Sequence, residues 1–284
     1  MITRKQFLLA VPAAVGASCA LAAERPSGTR SPSTLPISGQ WRHDELRRFK
    51  AREAHQGVAT DGRCFYAISN RAIGKYRIET GERLGGWMGE KDGPIVHLNA
   101  ATVRDGRLYG AHSNYPGVPM LSSVEIWDTA TMQHVDSHSF GIDAGSLTWL
   151  AWRDGRWLAC FAQYAASSTA TGRNPSWTQV VQFDDRWRRM AGWVFPPELI
   201  ERFAGNSSSG GAFGPHGFLF ITGHDARELY VLEFPKAGSV LRWMDTVPIS
   251  AEGQAFDFDP ADPANLFSIS RRSGEVILAR ISRR

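Results

Sequence analysis

The chain has 284 residues, a formal net charge of +4, 43% hydrophobic residues and ten tryptophans, enough apolar side chain to build a core. The cationic excess is local, at Arg42, Arg47, Arg48, Lys50 and Arg52 and again at Arg283-Arg284. There is no basic stripe interleaved with aromatics, which argues against a nucleic-acid partner.

In chain order, the first segment reads as a leader. Thr3-Arg4-Lys5 supplies positive charge, residues 7–21 are a short apolar run, and Ala20-Leu21-Ala22 fits a small-residue cleavage site. The run is too short and its residues too small for a membrane span. Thr3-Arg4-Lys5-Gln6-Phe7-Leu8-Leu9 is similar to a twin-arginine export motif, with Lys5 in place of the second arginine. Gly16-Ala17-Ser18 before Cys19 makes a poor lipidation signal. The expectation is a signal peptide over 1–23, a flexible Pro/Ser/Thr-rich linker over 24–38 and one domain over 39–284. The mature chain is then periplasmic or secreted, monomeric and without a transmembrane span.

The domain repeats itself. Five copies of one pattern open at His55-Gln56-Gly57, His97-Leu98-Asn99, Leu147-Thr148-Trp149, Ser208-Ser209-Gly210 and Glu252-Gly253-Gln254. The first three copies share a turn, Asp61-Gly62-Arg63, Asp105-Gly106-Arg107 and Asp154-Gly155-Arg156. Asp-Gly between apolar runs signals a two-residue hairpin, because a type I′ turn needs positive φ at both central residues. Pro215-His216-Gly217 and the stretch from Asp259-Pro260 to Pro263 punctuate the last two copies. Third strands are expected at 74–78, 123–127, 178–183, 229–234 and 275–281, and fourth strands at 82–87, 134–140, 190–195 and 239–246. The spacing of about 44 to 62 residues between turn glycines suits four-stranded blades, the longest interval holding a loop insertion over 165–175. One helix is expected over 196–203, with proline at its start and Gly205-Asn206 after it.

The fifth copy stops after three strands. An N-terminal strand, over 45–52 or 40–44, would complete it and leave no open sheet edge. The fold expected is all-β, a five-bladed β-propeller closed by an N-terminal strand, with six blades or a two-sheet sandwich as alternatives. Cys64 and Cys160 fall in blades one and three, which are not neighbours, so no disulfide is expected.

Propeller geometry puts two loop sets on one face: the blade openings and the ends of the second strands. The openings carry His55, Gln56, His97, Asn99, Thr148, Trp149, Ser208, Ser209, Glu252 and Gln254. The second-strand ends carry Asn70, Arg71, His112, Asn114, Tyr115, Gln163, Tyr164, His224, Asp225, Arg271 and Arg272. Polar groups crowded at one axis must bond one another, water, an ion or a ligand. The candidate catalytic set is His97, His224 and Glu252, since imidazole titrates near neutral pH. The candidate ligand-binding set is His55, Gln56, Asn99, His112, Asn114, Tyr115, Trp149, Ser208, Asp225, Gln254 and Arg271. A divalent metal on His55, His97, His112 and His224 is a further expectation, although no close-spaced histidine pair occurs. His216 falls on the opposite face. No nucleophile elbow, phosphate loop or dinucleotide fingerprint is present.

Gln56-Gly57, the Asp-Gly turn and Phe65-Tyr66, with Glu252-Gly253 opening a later blade, resemble the blade starts of glutamine cyclotransferases, secreted five-bladed propellers that form N-terminal pyroglutamate. That family carries its catalytic glutamate soon after the first aromatic pair, where this chain has Ala67-Ile68-Ser69-Asn70 and no carboxylate. The chain also resembles the broader class of secreted NHL- and YVTN-like propellers, which implies no single activity. Two functions are therefore expected: an enzyme of lyase, cyclase, lactonase or hydrolase type on a small polar or sugar-like molecule, or a non-catalytic face binding a peptide, glycan or protein.

Overall fold

The computed structural model describes residues 36–142 and 144–284. The signal-peptide expectation, and the linker up to residue 35, lie outside the described residues. Among the described helices none is long and apolar enough to cross a membrane.

Among the described residues twenty strands form five four-stranded antiparallel sheets. Blade one is β2 (Gly57–Thr60), β3 (Cys64–Ser69), β4 (Ala72–Arg77) and β5 (Arg83–Met88). Blade two is β6 (His97–Arg104), β7 (Arg107–Ser113), β8 (Ser122–Asp128) and β9 (His134–Gly141). Blade three is β10 (Ser146–Arg153), β11 (Arg156–Ala162), β12 (Gln179–Phe183) and β13 (Arg189–Val194). Blade four is β14 (Gly210–Phe213), β15 (Leu219–Thr222), β16 (Glu228–Glu233) and β17 (Arg242–Pro248). Blade five is β18 (Asp257–Phe258), β19 (Asn265–Ser270), β20 (Glu275–Arg283) and, from the other end of the chain, β1 (Trp41–Lys50). The arrangement is the five-bladed propeller, neither the six-bladed ring nor the sandwich. The closing strand is one ten-residue element that takes in most of both stretches expected for it, paired from Trp41↔Arg283 to Lys50↔Glu275.

The turns follow the glycine argument with one variation. Asp105 and Gly106 have φ of 49° and 71°, Asp154 and Gly155 of 50° and 73°, and each pair joins two strands directly. At Asp61-Gly62 only Gly62 has positive φ. There the Asp61 carboxylate accepts from the backbone N–H groups of Arg63 and Cys64 and from the Tyr66 hydroxyl, an Asx turn in place of type I′. The helix α2 (Pro197–Arg202) sits where proline and glycine predict it. The insertion expected as loop contains short helical turns at Ala165–Ser167, Ser168–Thr171 (α1) and Pro175–Trp177, the middle one ended by left-handed Gly172.

Every blade carries a register shift between its third and outer strand: at Lys75/Tyr76, at Ile126/Trp127, at Gln182/Phe183, at Val231/Leu232 and at Glu45/Arg47. A bulge adds local twist and turns an edge away from partners. The core lies in the wedges between blades, where Trp127, Trp149, Trp157, Phe65 and Phe220 are fully buried. Such aromatics bury large areas and set the contact geometry. Cys64 and Cys160 are buried and free.

Candidate functional site

Three side-chain and two backbone hydrogen bonds stitch neighbouring blades together near the axis. Leu98 N–H donates to Asn70 O (2.9 Å) from blade two to blade one. Asn99 Nδ2 donates to Leu147 O (2.8 Å) from blade two to blade three. Trp149 Nε1 donates to Ser208 Oγ (2.9 Å) ahead of blade four. Thr222 Oγ1 donates to Gln254 O (2.7 Å) ahead of blade five, and Ala255 N–H closes the ring on Gln56 O (3.1 Å). Each junction is satisfied locally, as buried polar groups require.

Inside this ring of stitches lies a cavity of about 140 Å³. Its lining comes from all five blades: Gln56; His97, Asn99 and Tyr115; Thr148 and Tyr164; Asn206, Ser209 and His224; Gln254 and Arg271. The two loop sets inferred from the repeat thus meet. A cavity of this size is comparable to one that holds benzene, so the enclosed part fits a molecule of roughly six heavy atoms. A sugar ring would have to project through the mouth.

The lining has a definite chemistry. One side is aromatic, with the Tyr115 ring 5.2 Å from His97 and 5.0 Å from Tyr164. Burial pushes the His97 imidazole down to about 4, helped by nearby His112 and Arg271 and opposed by a bond to Asn99, so it is neutral at ordinary pH. Burial also raises the Tyr164 phenol. On the opposite side His224 Nδ1 bonds Asp225 Oδ1 (2.7 Å), and Asn206 Nδ2 donates to Asp225 Oδ2 (3.3 Å). The amide nitrogens of Gln56 and Gln254 are committed to Asn70 Oδ1 (2.6 Å) and His224 O (2.9 Å). Their carbonyl oxygens, and that of Asn206, have no protein partner among the described residues. No carboxylate lines the cavity, and no carboxylate of the described residues pairs with Arg271.

The remaining candidates are not brought to the cavity. His55 is exposed outside it. His112 is held by Val96 N–H at Nε2 (3.1 Å) and Ser123 Oγ at Nδ1 (2.8 Å), which commits both nitrogens. The expected four-histidine metal set is therefore not assembled, and among the described residues no group of three or more His, Cys, Asp or Glu could hold a metal ion. Glu252 turns away to Arg227 (3.2 Å). Asn114 braces its own loop through Pro119 O (2.9 Å) and Leu121 N–H (2.7 Å). Trp149 and Ser208 are core residues bonded to each other. Asp225 stands behind His224, largely in solvent. His216 is exposed at the β14–β15 turn, where its ring meets Trp41 at 6.0 Å. Asn206 was not among the expected residues, although the polar run Asn206-Ser207-Ser208-Ser209 ahead of blade four marked it.

Asp257 faces a separate cavity of about 220 Å³, lined also by Thr60, Thr102 and Phe213. Its carboxylate accepts from Thr60 N–H (3.1 Å), and burial pushes it up to about 8.

No protein-family model matches the chain, and no curated protein matches it. Solved structures match in fold. Luciferin-regenerating enzyme superposes with a TM-score of 0.52 at 12% identity over 84% of this chain and 94% of that one. The WD40 repeats of RRP9 match with a TM-score of 0.43 at 10% identity over 88% and 99%. The class defined by fold and site is a five-bladed propeller with a small polar cavity on its axis; at these identities the likeness is one of fold.

Proposed function

We propose that the axial cavity binds a small hydroxylated anion and is the active site of a hydrolase that opens the corresponding small lactone. The observation that carries this reading is the lining itself: among the described residues, a guanidinium with no carboxylate partner, amide oxygens with no donor and no lining carboxylate. Arg271 suits a carboxylate or a developing oxyanion, and the oxygens of Gln56, Asn206 and Gln254 suit hydroxyl donors. His224, oriented through Nδ1 by Asp225, has Nε2 free to take a proton from water. The water oxygen then attacks the lactone carbonyl, the ring C–O bond breaks, and the proton returns to the leaving alkoxide. Neutral His97 serves as a hydrogen-bonding group beside the substrate. The N-terminal leader supports export to the periplasm or beyond as part of the same proposal.

The test is base consumption in a pH-stat with hydroxylated γ-butyrolactones. Wild type should hydrolyse them. His224→Asn should lose about 100-fold or more in kcat, the usual contribution of a general base, while still binding the hydroxy acid. Hydrolysis unchanged in His224→Asn, or no lactone turnover at all, removes the catalytic reading.

One observation favours a second reading, a face that binds a macromolecular partner. Val118, Leu121, Ile142 and Trp177 are exposed apolar side chains on loops of blades two and three, and Trp177 is 56% accessible. Under that reading Trp177→Ser weakens partner capture and leaves small-molecule binding alone.

A further inference from the structure

A third cavity, larger than the two described above at about 480 Å³, lies in the wedge between the outer strands of blades one and two, under the connection from β5 to β6. Its size is within the range of small-molecule sites. Trp87, Met88, Pro94 and Ile95 form apolar walls, and Glu125, His134 and Ser137 line the same space. Glu125 is only 7% exposed, yet no lysine or arginine of the described residues pairs with it.

Its partners are neutral donors or an imidazole. Oε1 accepts from Ser123 Oγ (2.6 Å) and Ser137 Oγ (3.0 Å), and Oε2 is bonded to His134 Nε2 (2.8 Å). Val96 N–H occupies His112 Nε2, so His112 Nδ1 carries the proton that it gives to Ser123 Oγ. The network therefore fixes the carboxylate in place with no lysine or arginine of the described residues among its partners. A carboxylate offers about four acceptor positions, and these three bonds leave one on Oε2. Beside it stand the indole of Trp87 and, behind that at 5.0 Å, the indole of Trp127. A buried anion next to an aromatic face is suited to a cation that brings its own apolar body.

We infer that this wedge is a binding site for a small organic cation, whose ammonium group meets Glu125 and whose apolar body lies against Trp87, Met88 and Ile95. The site is separate from the axial cavity and independent of any activity there.

The experiment is a titration of the purified protein with 2-phenylethylammonium chloride, followed by tryptophan fluorescence, with 2-phenylethanol and phenylacetate in parallel. The ammonium compound should bind saturably, and the neutral and anionic analogues about ten-fold more weakly or worse, the scale of one charge-assisted hydrogen bond. Glu125→Gln should produce a similar loss. Should that variant fail to fold, Met88→Lys decides the matter, because Met88 is 67% exposed and its replacement puts a positive charge at the cavity wall without touching the core. His224→Asn should bind the ammonium compound as wild type does. Absence of saturable binding, equal affinity for the alcohol, or unchanged affinity in Met88→Lys would overturn the inference.

Discussion

At the residue scale, neighbouring positions in one blade opening do opposite jobs. Thr148 lines the cavity while Trp149 is buried in a wedge, and the change of direction coincides with a register shift between Leu147 and Trp149. Asn99 gains its place through a similar shift between Leu98 and Ala101. A one-residue bulge redirects every side chain around it, and nothing in the residue types announces it. This is why the polar openings were legible in sequence but their division into stitch and cavity was not. Trp149→Phe tests the stitch: it removes the bond to Ser208, leaves that buried hydroxyl only its donation to Gly210 O and should cost about 1–3 kcal/mol in urea unfolding. His97 gives a pH signature. Its folded-state pKa lies below the unfolded value, so the unfolded chain binds the extra proton. Stability is present above about pH 6.5 and declines as pH falls toward 4. The decline attributable to His97 is of the order of 3 kcal/mol, read as wild type minus His97→Gln over that window. Asp257 has the opposite sign. Its raised pKa means the folded state holds a proton the unfolded state has lost, so stability falls between about pH 4 and 8. Asp257→Asn should flatten that slope and raise the urea midpoint at pH 8; a lowered midpoint would contradict it.

At the element scale, β1 is the closure. Its outward positions carry Arg42, Asp44, Glu45, Arg47 and Arg48, which suit an edge strand that must not recruit another chain. Its inward positions, Trp41 and Phe49, are buried. The strand's existence followed from counting three strands in the last copy. Its extent did not, because a charged edge strand lacks the apolar alternation by which strands are read. Blade five's innermost strand is also shorter than its counterparts, two residues at β18, since prolines follow it and remove donors. Removing residues 1–50 should leave the β20 edge bare. The expected result is loss of the cooperative unfolding transition or strand exchange into oligomers, seen by circular dichroism and size-exclusion chromatography. A monomer of unchanged stability would show that β1 does not close the ring.

At the scale of the whole molecule, the repeat brings together residues separated by more than two hundred positions, Gln56 and Arg271 among them. The sequence period was enough to infer that meeting, because a closed ring makes every blade opening face the axis. It was not enough to infer the cavity's size, which the inward rings of Tyr115 and Tyr164 reduce to about 140 Å³. Under the proposed function, that volume limits the ligand to a small molecule, and a lining with Arg271 and no carboxylate favours an anion. The most direct measurement is an NMR titration of the histidine ring signals with glycerate. The account predicts that the His97 and His224 signals shift together and saturate, that His55 and His216 stay still, and that Arg271→Gln abolishes the response. Shifts confined to His55 or His216, or equal shifts with glycerol and with glycerate, would contradict it.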